Sequence, residues 1–219
     1  MTCIILATRN AHKVAEIRGI LGGNIRILSQ NDFPGAPAVV EDADTFAGNA
    51  TKKAEGLAAW LAVHASAGRP DYVLADDSGL EVDALGGAPG VHSARFAAAT
   101  LSETANSPDA DNNAKLLRLL EGVPPERRAA RFRCVLALAA REEATRVFEG
   151  RCEGRIARLP SGMAGFGYDP LFIPEGFALS FAELGEEVKN TISHRARALA
   201  ELQRFLEGVE QGKGRISCS

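Results

Sequence analysis

Apolar residues recur along this chain in two rhythms, compact runs of four to twelve residues and longer stretches at helical spacing, and their interleaving predicts a mixed α/β fold. Residues 3–8 form a short apolar run that ends at Arg9-Asn10, after which Val14, Ile17, Ile20 and Leu21 keep a helical period until Gly22-Gly23 interrupts it. This reads as strand, polar loop, helix. A second strand follows over 25–28. Pro34, Gly35 and Pro37 make 31–38 an irregular loop, which leads into the acidic run Glu41-Asp42-Ala43-Asp44. Thr45 then caps a helix through Asn49, Lys53, Leu57 and Leu61 toward residues 67–70, with Asn49 and Lys53 four apart on one face.

Tyr72-Val73-Leu74 predicts a buried strand that delivers Asp76 and Asp77 into a tight turn at Gly79, and residues 85–90 are too glycine-rich for regular structure. Leu116, Leu117, Leu119 and Leu120 line a helix from near Asp109 to Gly122. Residues 129–140 and 145–156 predict two long strands in an antiparallel hairpin, joined through 141–144. Residues 159–167 form another glycine-rich loop. Ser193 caps a last helix through Ala196, Leu199, Leu202 and Leu206, and 212–219 reads as a frayed tail. No internal repeat is present.

With 219 residues and 46% hydrophobic content, the chain can build one large α/β domain or two tightly joined lobes. Its 25 basic and 28 acidic residues give a net charge of −3, which offers no general attraction for a nucleic-acid polymer, so an anionic ligand must be held by local cations. Cysteines 3, 134, 152 and 218 lack the paired spacing of a zinc site and the density of a disulfide scaffold, and are expected as free thiols in a reducing cytoplasm. Residues 1–7 have neither a basic n-region nor a long h-region, and no apolar stretch reaches the ~20 residues of a membrane span, so neither export nor membrane anchoring is expected.

The chemistry concentrates where carboxylates are forced together. Adjacent strand residues face opposite ways, so at least one of Asp76 and Asp77 must meet a crevice or a cation; an Asx-type turn at Asp77 or Ser78 is the plainer alternative. With Glu41 the pair would make the hard oxygen site that Mg²⁺ uses beside phosphates, although Glu41 also suits the dipole of the helix that follows it. Thr8-Arg9-Asn10-Ala11-His12-Lys13 lies where a strand passes into a helix, which collects free N–H groups, a hydroxyl, an amide and an ammonium; this suits a phosphate, and suits ordinary capping equally. Phe166-Gly167-Tyr168-Asp169-Pro170 offers two aromatic faces around an acceptor, as a planar base requires, or a turn whose aromatics fill the core. Lys189 and the pair His194-Arg195 add donors near a helix start; by default Lys189 and Arg195 would be solvated surface charges.

Five segments in order, Thr8 to Lys13, Ala75-Asp76-Asp77-Ser78-Gly79-Leu80, Gly86-Gly87-Ala88-Pro89-Gly90-Val91-His92-Ser93-Ala94-Arg95, Phe166 to Pro170 and Ser193-His194-Arg195, closely resemble the inosine/xanthosine triphosphate pyrophosphatase family, collinear from Ile4 to about Leu206. The resemblance implies an elongated mixed β-sheet with flanking helices, forming two lobes around a central nucleotide-binding cleft, in a homodimer. It implies that Thr8, Arg9, Asn10, Ala11, His12 and Lys13 bind the triphosphate, that Asn49 and Lys53 are phosphate-side donors, and that Ser78 touches the nucleotide. Asp77 is implied as general base and Mg²⁺ contact, with Asp76 and Glu41 supporting the metal. Phe166, Gly167, Tyr168 and Asp169 would frame purine and sugar, and Lys189, His194 and Arg195 would complete recognition. Two positions depart from the family pattern: Gly48 stands where Glu is frequent, and Arg9 where Gly is common.

The implied reaction is hydrolysis of ITP, dITP or XTP at the α-β linkage to a monophosphate and pyrophosphate. A purine 6-carbonyl would accept a hydrogen bond from His194 or Arg195, whereas the adenine amino group would leave that donor unpaired. Competing readings are a related nucleotide pyrophosphatase with another base preference and a catalytically silent nucleotide-binding regulator, the latter opposed by intact Asp77, Lys13 and Lys53.

Overall fold

The computed structural model describes residues 2–23, 25–64, 70–98, 106–141 and 143–216. In chain order its elements are β1 (Thr2–Leu6), α1 (Ala11–Leu21), β2 (Ile25–Ser29), α2 (Phe46–His64), β3 (Tyr72–Val82), α3 (Asp109–Leu119), β4 (Ala129–Ala140), β5 (Arg146–Ile156), β6 (Phe172–Pro174), α4 (Phe181–Ile192) and α5 (His194–Ile216). The strands make one sheet in the order β2-β1-β3-β4-β5-β6. The β1 pairings with β2 and β3 are parallel and the others antiparallel, so the sheet is mixed, as expected. Among the described residues no helix is long and apolar enough to cross a membrane.

The expected turn at Gly79 is absent. β3 continues through both aspartates and stays in register with β4 from Tyr72 opposite Ala140 to Val82 opposite Ala130, because an unbroken ladder satisfies its backbone. Gly79 is required for another reason: a Cβ there would sit 2.4 Å from the Gly90 carbonyl oxygen and 2.6 Å from Ser93 Oγ. The Gly90–Arg95 3₁₀ turn is thereby seated against the strand, and Ser93 Oγ accepts from Leu80 N at 2.9 Å.

Other boundaries differ in smaller ways. α3 stops at Leu119, and Gly122 takes φ 75° in the exit turn. α5 reaches Ile216, so residues 212–216 of the expected tail are helical; the remainder, with Cys218, lies outside the described residues, as do 67–69 and Glu142 from the expected loops. β6 and α4 were not expected. A signal for α4 was present in Ser180-Phe-Ala-Glu183, a capping box in which Ser180 Oγ accepts from Glu183 N and Glu183 accepts from Ser180 N.

Strand alternation distributes the core. Leu74, Cys134 and Leu136 pack with α1 and α5 on one face, while Val73, Ala75, Val135 and Ala137 pack with α2 on the other. A third cluster, with Leu80, Phe132, Leu116, Tyr168, Phe172 and Phe181, fills the outer half of the sheet. β1 accompanies β3 only from Tyr72 to Leu74, and Ala7 N still donates to Leu74 O at 2.8 Å. The chain then turns into α1, and the edge of β3 from Asp76 onward is no longer paired with β1, so Lys13 and Lys53 reach the Asp76 carbonyl oxygen there, at 3.5 and 2.9 Å.

Candidate active site

Asp76 and Asp77 lie on opposite faces of β3 where its pairing with β1 has ended, both buried. Asp76 is held by cations. Its Oδ1 lies 2.5 Å from Lys13 Nζ, its Oδ2 lies 2.9 Å from Arg195 Nε, and it also accepts from Ser78 Oγ at 2.8 Å and Cys134 Sγ at 3.2 Å. Although burial opposes ionisation, Arg195 and Lys13 hold the Asp76 carboxyl well below the usual carboxylate range. Lys13 reaches this point because Asn10 caps α1, its Oδ1 accepting from Lys13 N at 3.1 Å.

Asp77 faces α2 instead. Lys53 Nζ lies 3.1 Å from Asp77 Oδ1, 2.9 Å from Glu41 Oε2 and 2.9 Å from the Asp76 carbonyl oxygen. Among the described residues no donor reaches the buried Asp77 Oδ2, whose carboxyl neighbours that of Glu41. Burial pushes the Asp77 carboxyl up to about 6, with Glu41 adding to the shift and Lys53 and Lys13 opposing it. Glu41 moves the other way: burial acts against its charge, but the Lys53 ammonium outweighs that and holds it low. Two carboxylates thus share one ammonium beside an unpartnered oxygen.

That donor set fits a hard divalent cation: a cation would answer the surplus negative charge and give Asp77 Oδ2 a partner. Among the described residues no three His, Cys, Asp or Glu side chains converge on a metal site, so water or phosphate oxygens would have to complete the shell. Asp76, expected to support the metal, has its carboxylate committed to Arg195 and Lys13 on the other face of the strand.

The segment bearing Glu41 has no regular structure and is anchored from several sides. Asn49, expected as a phosphate-side donor, is instead buried against Ala43, accepting from its N at 2.9 Å and donating to its O at 3.2 Å. Arg95 donates to the Glu41 carbonyl oxygen at 3.2 Å. At Gly48 a Cβ would come within 2.8 Å of Ala43 Cβ, so the departure from Glu goes with close packing of this segment on α2. Arg9, expected among the triphosphate-binding residues, donates to Ala36 O at 2.5 Å. Thr8 Oγ1 accepts from Asn10 N at 3.1 Å, and Ala11 and His12 open α1 at the surface.

On the far side of Asp76 a buried relay of charge continues. Arg195 meets both Asp76 and Glu16, Glu16 Oε1 lies 2.7 Å from Lys189 Nζ, and Lys189 Nζ lies 2.5 Å from Asp169 Oδ2. Lys189 and Arg195 are only 3% and 1% exposed, which overturns their default reading as surface charges. Burial pushes the Asp169 carboxyl up against the pull of Lys189. Glu16 escaped the sequence reading. Its place three residues after Lys13 and beside Ile17, on the inward face of α1, was the available signal.

Phe166 is the aromatic face that the site offers. Its ring is stacked on His12 at 5.2 Å with 18° between planes, Lys189 Nζ lies 4.5 Å from its centroid, and its N donates to Asp169 Oδ2 at 2.9 Å. Tyr168, expected to frame the purine, is buried in the outer core and donates from its hydroxyl to Ser93 O at 2.9 Å. Its phenol needs a partner once it is inside, and the Gly90–Arg95 turn supplies one. His194 stacks on Phe132 at 4.7 Å, and its Nδ1 is buried and unpartnered. Burial, reinforced by Arg195 and Lys189, keeps its imidazole neutral.

The chain matches the Ham1 family over residues 4–205. It belongs to the Ham1 family. Similar proteins include a dITP/XTP pyrophosphatase of Geobacillus kaustophilus, 50% identical over 213 residues that cover 97% of this chain and 98% of the relative. One of Opitutus terrae is 51% identical over 204 residues, covering 90% and 95%. Among solved structures, a HAM1 protein from Coxiella burnetii has a TM-score of 0.80 at 38% identity, covering 95% of this chain and all of that one (100%). The Staphylococcus aureus Ham1 protein has a TM-score of 0.79 at 36% identity, covering 94% and 99%. The sequence resemblance and the α/β fold are both borne out. Within this Ham1 fold, Lys13, Lys53, Asp76, Asp77 and Glu41 form one charged cluster about the unpaired edge of β3, which Phe166, Asp169, Lys189 and Arg195 join through the Glu16 bridge.

Proposed function

We propose that this protein hydrolyses non-standard purine nucleoside triphosphates, ITP, dITP and XTP, to the monophosphate and pyrophosphate. The observation that carries the chemistry is Asp77 Oδ2, a buried carboxylate oxygen without a partner, on a group raised to about 6, beside Lys53 and Glu41. Such a group is ionised at neutral pH and basic enough to take a proton from water. Lys13 and Lys53 offset negative charge on the phosphates, with the start of α1 adding N–H groups. Asp77 and Glu41 would hold Mg²⁺, which when bound would offset further phosphate charge. Asp76 positions Lys13 rather than joining the metal.

Phe166 supplies the face for a flat base, and Asp169 holds its backbone from behind. His194 Nδ1, when it carries the proton, is a donor that a 6-oxo group would satisfy and an adenine amino group would not. Arg195, Lys189 and Ser78 hold this arrangement through Glu16, Asp76 and Asp169. We further propose a single two-lobed domain acting in the cytoplasm as a homodimer, a placement with which the free thiols of Cys3, Cys134 and Cys152 agree.

The test is pyrophosphate release from ITP, XTP, GTP and ATP, with and without Mg²⁺, for the parent and Asp77→Asn. ITP and XTP should lead by a wide margin, Mg²⁺ should be required, and Asp77→Asn should lose roughly 10²–10⁴-fold in rate. Equal turnover of ATP and GTP would point to a different base preference, and near-parent activity in Asp77→Asn would move the base elsewhere.

A further inference from the structure

We infer that Asp109 and Asn113, one turn apart at the start of α3, are positioning residues for base recognition: they grip both main-chain groups of Gly167 and so fix the Phe166 ring against which the purine lies. The inference rests on the pyrophosphatase reading above. Gly167 N donates to Asp109 Oδ2 at 2.6 Å, and Asn113 Nδ2 donates to Gly167 O at 3.0 Å. Residues four apart share a helix face, so one rigid element holds the N–H of the Phe166–Gly167 peptide and the carbonyl of the Gly167–Tyr168 peptide, on either side of the Gly167 Cα.

Such a clamp is needed because this arc is soft. Gly162, Gly165 and Gly167 all take positive φ, at 83°, 78° and 62°, and glycine backbone has little conformational preference of its own. Asp169 holds both main-chain groups of Phe166, the ring is stacked on His12 and faced by Lys189, and the Tyr168 hydroxyl is tied to Ser93, but none of these holds the Gly167 N–H or carbonyl, through which the arc turns. α3 can do so because it is itself well anchored. Leu116 and Leu120 are fully buried, Asn112 Oδ1 accepts from Ala97 N at 2.7 Å, and Lys115 Nζ donates to Phe96 O at 2.5 Å. Among the described residues the Asn113 Oδ1 atom is buried without a partner, and the amide is oriented through Gly167 O.

Releasing the clamp lets the Phe166 ring move, and each base that binds must then order it. That cost falls on ground state and transition state alike, so it appears in KM and leaves kcat unchanged. The variants are Asn113→Ala, Asp109→Ala and Asp109→Asn, assayed for ITP turnover, for binding of IMP, and for binding of tripolyphosphate, which carries no base. Asn113→Ala and Asp109→Ala should each weaken IMP and raise KM for ITP by about fivefold, the size of one lost hydrogen bond, with kcat within about twofold and tripolyphosphate unchanged. Asp109→Asn keeps an acceptor for Gly167 N and should stay within about twofold of the parent. Equal losses for IMP and tripolyphosphate, or no loss of IMP, would overturn the inference while the parent still prefers IMP over AMP. A parent without that preference would overturn the base-pocket reading and this inference with it.

Discussion

Replacing Glu16 with Gln removes one carboxylate from between two buried cations. Glu16 is 8% exposed and bridges Lys189 and Arg195. Stripping a buried ion of its only partner costs about 3–5 kcal/mol. Here Lys189 keeps Asp169 and Arg195 keeps Asp76, and the Gln oxygen still accepts one hydrogen bond, so we expect a loss of about 2–3 kcal/mol. In a protein of this size that lowers Tm by roughly 4–12 °C. The pH dependence is the sharper signature. Although burial acts to raise it, Arg195 and Lys189 leave the Glu16 carboxyl below its ordinary value. A depressed carboxylate contributes stability that is complete above its unfolded value, about 4.3, and is lost as pH falls through the folded value. Urea titrations of parent and Glu16→Gln between pH 7 and pH 4 should therefore give a constant difference down to about pH 5 that narrows below it. A difference under about 0.5 kcal/mol at pH 7 would refute the bridging account, and one that stayed constant through pH 4 would show that Glu16 is not held ionised by its neighbours.

Gly79→Ala should cost about 1–3 kcal/mol in urea unfolding and disturb the Gly90–Arg95 turn, since the new methyl would lie 2.4 Å from Gly90 O; a neutral result would mean that the turn yields freely. Asn49→Ala should lose about 1–3 kcal/mol and raise the Mg²⁺ concentration needed for half-maximal activity, because Ala43 loses both its side-chain partners next to Glu41. Unchanged Mg²⁺ dependence would show that the acidic segment is held without it. Tyr168→Phe should lower stability by about 1 kcal/mol while leaving KM for ITP unchanged, as its hydroxyl serves Ser93 and not the cluster about Asp77; a raised KM would return Tyr168 to the base pocket.

What could be read along the chain was whatever short-range physics controls. The Asn10 and Ser193 caps, the glycine that ends α1, the long β4–β5 hairpin and the placement of Asn49 and Lys53 on one face of α2 follow from spacing within a few residues. The five motifs likewise identified the family because they stand in the family's order along the chain. α4 was legible from its capping box and went unread.

Tertiary structure decided which of those groups act on one another. Asp76 and Asp77 are neighbours in the chain, yet one is locked to Arg195, 119 residues away, and the other is left with an unpartnered oxygen beside Lys53. Lys189 and Arg195 are polar residues that the sequence assigns to the surface, and the distant carboxylates of Asp169, Asp76 and Glu16, which three separate segments bring to them, make their burial tolerable. Tyr168 turned inward because Ser93 lay within reach of its hydroxyl. Local spacing sets caps and periods because those interactions close within a turn or two of chain. Ion pairing and burial depend on which distant segments the sheet brings side by side, and no local pattern encodes that.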